Sequence, residues 1–356
     1  MSEDSEPNQN GKASNEIESW DSSAKPATKA VTDRKQFRSR HQRLVGQTTF
    51  TESRNIARII PCERLYLKFE GNNPTGTQKD RIAIALAETA SKQLYSGIVT
   101  ATCGNFGAAV AYAANHCRIP EAHIFIPKGY HVPKSRMKIM KQHNAEIHFI
   151  EGTYEHAVFY SSEFAKENNM YDANPGGEQV VSISLEAYAD IAYEIYKGLR
   201  RAPDYVLCPV GNGSTLAGIH LGFKKLLEAN RIRNLPRMVA VSTRRGNPII
   251  KSFKSKSRDI IDLAPSEIVE TRVNEPLTNW HAFDGQEALT AIYDSNGFGE
   301  YASDTKMLEY TRILKEEEGL IVHPASASTL AVLSSITRND MALKGTYVAV
   351  LTGRYS

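Results

Sequence analysis

Four short segments of this sequence combine glycine with side chains able to hold an anion or to react with a carbonyl. The first is Asn73-Pro-Thr-Gly-Thr-Gln-Lys79-Asp-Arg81, with the lysine at the predicted start of a helix. The dipole there disfavours a cation. Burial would disfavour it further and leave a neutral amine, the form that makes a Schiff base. On spacing alone, a turn followed by an exposed lysine is the simpler account. The second segment is Thr102-Cys-Gly-Asn-Phe-Gly107. Backbone N–H groups at a helix start suit a carboxylate or phosphate, although a tight turn with Asn105 as helix cap explains the same residues. The third, Pro209-Val-Gly-Asn-Gly-Ser-Thr215, is the strongest phosphate signal. Gly211 and Gly213 permit close backbone approach, Ser214 and Thr215 add hydroxyl groups, and the next helix aims its N-terminus at the loop. It lacks the lysine of a Walker loop and the glycine spacing of a dinucleotide fingerprint. The fourth, Leu351-Thr352-Gly-Arg354, is either a strand end facing the same crevice or simply the end of the chain.

These segments need rigid elements to aim them, and the pattern predicts such elements. Strands are expected at Leu65–Phe69, Ile98–Ala101, His123–Ile126, Glu146–Ile150, Tyr205–Cys208, Met238–Val241 and Tyr347–Leu351, all short apolar runs. Helical stretches alternate with them: Ile82–Leu94, Gly107–His116, Pro133 to about His143, and Leu216–Ala229. Such β–α alternation implies an α/β fold with a parallel sheet covered by helices on both faces. Ligands then bind beyond the carboxyl ends of the strands, where all four segments fall. Residues 1–33 are polar and charged and are expected to form a disordered tail.

Composition narrows the functional classes. A net charge of +3 over 356 residues is too small to suggest nucleic acid or a membrane surface as a partner, and the short basic cluster from Lys251 to Arg258 reads as a solvated loop. No apolar run is long enough to span a bilayer, and the first residues are unlike a signal peptide. Four cysteines without a CxxC pair, and no His/Cys spacing of a zinc site, point to a reducing, cytoplasmic setting and predict no metal.

Taken together and in this order, the four segments resemble those of the fold-type-II, tryptophan synthase β-like enzymes that use pyridoxal 5′-phosphate (PLP). The likeness runs from about Gln47 to Thr352 and is closest to the threonine synthases, whose lysine segment, phosphate loop and Thr-Gly pair are similar to those here. His323-Pro-Ala-Ser-Ala327 resembles their Glu-Pro-Ala-Ser-Ala segment, and Gln78 stands where they usually carry Phe. The resemblance implies that Lys79 holds the cofactor as a Schiff base and then acts as base at the substrate Cα. It implies Asn105 at the cofactor's 3′-oxygen, Gly211, Asn212, Gly213, Ser214 and Thr215 at the 5′-phosphate, and Thr352 at the pyridine nitrogen. Thr102, Cys103 and Phe106 would line the loop that takes the substrate carboxylate. A neutral hydroxyl at the ring nitrogen favours elimination and replacement over transamination.

The reaction implied is threonine-synthase-like, from O-phosphohomoserine to threonine and phosphate. One departure bears on it: Ser184 stands where threonine synthases carry an arginine that helps bind the substrate phosphate. Alternatives are a β-replacing synthase of the cysteine-synthase kind acting on O-acetylserine or O-phosphoserine, a serine or threonine dehydratase, or a non-catalytic PLP or amino-acid sensor. The resemblance further implies two α/β lobes with parallel-rich sheets and the cofactor in the crevice between them. Residues 34–89 and 186–356 would form the large PLP-binding domain, residues 90–185 a smaller inserted mobile domain, and the active protein a homodimer.

Overall fold

Ten strands divide between two sheets in the computed structural model, which describes residues 44–338 and 344–355. In chain order the strands are β1 (Thr49–Glu52), β2 (Arg64–Phe69), β3 (Gly97–Ala101), β4 (Glu121–Pro127), β5 (Glu146–Ile150), β6 (Tyr171–Asp172), β7 (Tyr205–Pro209), β8 (Arg237–Ser242), β9 (Phe298–Tyr301) and β10 (Thr346–Leu351). The helices are α1 (Arg54–Ile59), α2 (Lys79–Lys92), α3 (Asn105–Cys117), α4 (Lys134–Gln142), α5 (Tyr154–Glu167), α6 (Glu178–Leu199), α7 (Ser214–Glu228), α8 (Pro248–Lys254), α9 (Gly285–Asp294), α10 (Asp304–Glu318) and α11 (Pro324–Arg338). The tail expected over residues 1–33 lies outside the described residues.

The larger sheet has the order β1-β2-β10-β7-β8-β9 and the smaller β5-β4-β3-β6. All pairs are parallel except β1 with β2. Every residue of β3, β7 and β10 is buried, as expected of parallel strands covered on both faces. One apolar cluster, including Tyr310, Leu330 and Leu333, packs one face of the larger sheet, and a second, including Tyr188, Ile219 and Phe223, packs the other. The smaller sheet has its own two clusters, around Val110 and Ile124 and around Phe125 and Ala157.

The predicted strands are all present, most of them one residue or two longer than expected. Three others were not anticipated. β1 reads Thr-Phe-Thr-Glu and is half exposed, β6 has two residues, and β9 carries Gly299 in Phe-Gly-Glu-Tyr. None is an apolar run, so none stands out from a loop in sequence.

A buried ionic knot ties the first strands to α2. Glu70, with no exposure, accepts hydrogen bonds from Arg81 Nε (2.6 Å) and Nη2 (2.9 Å), from Thr48 Oγ1 (2.7 Å) and from Asn73 Nδ2 (2.9 Å). Lys68, equally buried, lies 3.3 Å from Glu70 and 2.6 Å from Glu194 of α6, which also pairs with Arg81 at 2.9 Å. Two cations and two carboxylates therefore neutralise one another inside the protein, the condition under which buried charge is tolerated.

Candidate active site

The loop before Lys79 is folded by its own side chains. Asp80 Oδ1 accepts from Thr75 Oγ1 (2.7 Å), while Asp80 Oδ2 accepts from the backbone N–H of Thr75 (3.1 Å). Gly76 has φ +94°, and a Cβ there would lie 2.6 Å from Arg354 Nε. Glycine is needed at that position for its backbone angle, since the Arg354 side chain is exposed and could swing away from a Cβ. The same loop is bonded to the last segment of the chain. Gln78 N–H donates to Thr352 O (2.9 Å) and Arg354 N–H to Gly76 O (2.9 Å), with Thr77 bridged to Gly353. Segments far apart in sequence thus become one platform, because β2 and β10 are parallel neighbours ending at the same level (Phe69 beside Leu351).

The other two segments face this platform. Thr102 Oγ1 accepts from the N–H groups of Gly104 (2.9 Å) and Gly107 (3.1 Å) and shapes the turn into α3. The helix cap is Gly104, at φ +142°, and Asn105 is the first helical residue. At the end of β7, Asn247 Nδ2 donates to Val210 O (3.1 Å) and Gly211 O (3.0 Å), holding the glycine loop in front of α7. All four segments line one cavity of about 330 Å³. Lys79, Thr102, Cys103, Asn105, Phe106, Gly211, Asn212, Gly213, Ser214, Thr215 and Thr352 are all among its lining residues.

Lys79 opens α2 and is partly accessible, within the cavity. Its amine lies 5.8 Å from the centre of the Phe106 ring. Burial drives its pKa below the ordinary lysine value, and Asp284 opposes that only in part. The helix start and the desolvation act in the same direction, towards a neutral amine. Thr352 Oγ1 lies 3.0 Å from Ser326 Oγ, at the start of α11, and Ser326 Oγ also accepts from Gly353 N–H (3.0 Å).

Several lining residues were not anticipated. Asp284 stands just before α9, accepts from Ser214 Oγ at 2.5 Å and has its pKa raised by burial. Glu155, Glu270 and Glu275 face the same space. Burial, with the Glu270 carboxylate beside it, pushes Glu275 up to about 7. Burial raises Cys103 well above the ordinary thiol value, so it is a neutral lining group and not a thiolate. Ser184 is buried and lines the cavity too. Among the described lining residues Lys79 is the only lysine or arginine. No local pattern announced the acids; Glu155 comes from the first turn of α5, and Glu270, Glu275 and Asp284 from the segment between α8 and α9, so the fold assembles them. Ser326 did have a signal, since it lies in the His323–Ala327 segment.

The cavity suits a phosphorylated aromatic aldehyde. A Cβ on Gly211 would lie 2.6 Å from Pro276 O, and one on Gly213, at φ +98°, would lie 2.6 Å from Ala288 Cβ. Bare backbone at the mouth of a 15-residue helix therefore meets the two hydroxyl groups of Ser214 and Thr215. Two buried nitrogens of lining residues, Trp280 Nε1 and His323 Nε2, have no hydrogen-bond partner among the described residues. Burial lowers the His323 pKa to about 4, so that ring is neutral at physiological pH. The substitution Gly213→Ala is expected to weaken PLP binding at least tenfold, through both the strained φ and the lost loop geometry. Fluorescence titration of the apo-protein with PLP measures it; wild-type affinity in the variant would remove this loop from the cofactor site.

Comparison with known proteins places these features in context. The family model described as "Pyridoxal-phosphate dependent enzyme" matches residues 41–353. The chain is 30% identical over 296 residues to a threonine synthase of Methanocaldococcus jannaschii, covering 82% of this chain and 70% of that protein. It is 30% identical to a threonine synthase of Synechocystis over 315 residues, 87% of this chain and 76% of the relative. Among solved structures, a pyridoxal 5′-phosphate-dependent aspartate racemase superposes with a TM-score of 0.73 at 19% identity, covering 92% of this chain and 95% of the other. A maize serine racemase gives 0.73 at 19% identity, covering 91% and 92%.

Proposed function

Because the chain belongs to the family of pyridoxal-phosphate dependent enzymes, we propose that its cavity carries out elimination and replacement on an activated amino acid, in the manner of a threonine synthase. The observation that carries this is a charge-poor Lys79 amine in the same cavity as the glycine-lined mouth of α7 and the Thr352 hydroxyl. PLP, when bound, supplies the aldehyde and electron-accepting ring that make a substrate Cα–H acidic.

The chain's own residues do the rest. Lys79 holds the aldehyde and is the base that takes and returns protons at Cα, a task for which a lowered pKa fits it. Gly211, Asn212, Gly213, Ser214 and Thr215 hold the phosphate through N–H and hydroxyl groups. Asn105 hydrogen-bonds the ring oxygen. Thr352, backed by Ser326, meets the ring nitrogen without a charge. Thr102, Cys103 and Phe106 receive the substrate carboxylate at the start of α3. The net reaction is O-phosphohomoserine plus water to threonine plus phosphate.

The acidic wall favours a second reading of the leaving group. Glu155, Glu270 and Glu275 line the cavity, and Ser184 supplies no charge. A substrate that carries a phosphate dianion would meet repulsion there on binding, whereas one that carries a neutral acetyl ester, released as the singly charged acetate, would meet less. The two readings separate in a turnover scan of the PLP-loaded protein with O-phosphohomoserine, O-acetylserine, O-phosphoserine, serine and threonine. Threonine and phosphate released in equal amounts from O-phosphohomoserine support the first. Turnover of O-acetylserine alone supports the second. A visible PLP band that shifts with amino acids but gives no product from any of them would sink both and leave a sensor. If a phosphorylated substrate is used, Glu275→Gln should lower its KM severalfold at pH 8, above the Glu275 value of about 7. An unchanged KM would place Glu275 away from the leaving group.

A further inference from the structure

The smaller sheet carries a second cluster of reactive side chains, unconnected with the cavity lining. His123 lies on β4, and Glu146 and His148 lie on the neighbouring edge strand β5. Parallel register sets His123 beside Glu146 and Phe125 beside His148, so all three candidate ligands project from one face. His123 Nδ1 is 3.0 Å from His148 Nε2. Glu146 places one carboxylate oxygen 3.6 Å from His123 Nδ1 and the other 3.7 Å from His148 Nε2. Three donor atoms around a tetrahedral zinc ion, with bonds of about 2.0–2.2 Å, stand roughly 3.3–3.5 Å apart. The two nitrogens stand 3.0 Å apart, and different oxygens of the Glu146 carboxylate lie 3.6 and 3.7 Å from them; with one oxygen per residue all three donors fall within 4.8 Å of one another, close enough for a small side-chain rotation to reach that spacing.

The surroundings complete the pattern. The other nitrogen of His123, Nε2, is 3.2 Å from the Glu121 carboxylate. A carboxylate at that position fixes the ring orientation and the tautomer that leaves Nδ1 free to bind a metal. Phe125 and Phe164 pack against the imidazoles, with the Phe125 ring 4.5 Å from His148 and the Phe164 ring 4.9 Å from His123. His123 is almost fully buried, His148 is partly exposed and Glu146 is mostly exposed, which leaves one side open to solvent.

We propose that His123, Glu146 and His148 form a zinc site, with three protein ligands and a solvent molecule in the fourth position, that clamps the edge strand β5 to β4. Sequence spacing could not announce it. His123 and His148 are 25 residues apart, and only the β4–β5 pairing brings them together.

The test uses the full-length PLP-loaded protein, freed of metal by chelator dialysis and titrated with zinc against a chromophoric chelator. The wild-type protein is expected to bind one equivalent of zinc more than His148→Gln, and to show a zinc-dependent rise in melting temperature that the variant lacks. Cobalt in place of zinc should give the intense visible bands of a tetrahedral site in the wild type only. Glu121→Gln should weaken zinc about ten- to a hundredfold, as loss of a supporting carboxylate does. The PLP absorption band reports whether each variant folds. Should His148→Gln fail to fold, Glu146→Gln, altered at a mostly exposed carboxylate, reads the same loss of affinity. Equal zinc binding by the wild type and these variants, or none by the wild type, would overturn the site.

Discussion

Replacing Lys79 with alanine is expected to abolish both turnover and the covalent retention of PLP, lowering the rate by roughly a thousandfold or more. The size of the effect follows from two duties resting on one amine: holding the cofactor and moving the proton at Cα. Borohydride reduction of the loaded wild-type protein should fix PLP to the peptide that contains Lys79, and the variant should yield no such peptide. Misfolding is a poor competing explanation. Burial lowers the Lys79 pKa, so the folded protein disfavours the charged amine. The unfolded chain binds that proton more readily, so stability rises with pH between the lowered folded value and the ordinary lysine value of 10.5. Below that window the amine is a burden on the fold. The apo form of Lys79→Ala should therefore be no less stable than the apo wild type at neutral pH, as read by urea unfolding. Full activity in the variant would refute the assignment of this lysine.

The second large effect concerns stability. Glu70→Gln should destabilise the protein by about 3–5 kcal/mol, because it strands buried positive charge. Lys68 and Arg81 would then share only Glu194. Adding Lys68→Met to Glu70→Gln removes one charge of each sign and should recover most of the loss. Chemical unfolding of the single and double variants measures both. If the single variant loses less than about 1 kcal/mol, the knot is no more than an exposed ion pair in effect. The same network sets an acid limit. Arg81 and Lys68 hold Glu70 far below its ordinary value, and Arg81 likewise lowers Glu194. A depressed carboxylate stabilises the fold above its unfolded value, so this contribution is complete above about pH 4.5 and is lost as pH falls further. Because Arg81 lies two residues from Lys79, loss of the knot should also loosen the lysine loop and weaken PLP binding.

Much of the fold was legible because its central strands are nearly unbroken apolar runs. Tyr347–Leu351 and Tyr205–Cys208 declare themselves, since both of their faces are covered and every residue is selected for burial. β1, β6 and β9 did not, since they are short, half exposed or interrupted by glycine. Their pairing is imposed by a neighbouring strand and not by local composition.

The same division holds for the sites. Sequence by itself determined which loops carry glycine, hydroxyls and lysine next to strand ends, because the backbone angles and close approaches required there leave a local mark. It thereby determined the family and the cofactor. Tertiary structure alone decided that Ser326 meets Thr352, that three glutamates and Asp284 face a cavity with a single amine, and that His123 stands 3.0 Å from His148. Those juxtapositions depend on strand order and register, which no stretch of sequence encodes locally. An acid or an imidazole looks the same in the chain whether it ends in solvent, beside a lysine, or next to a second imidazole.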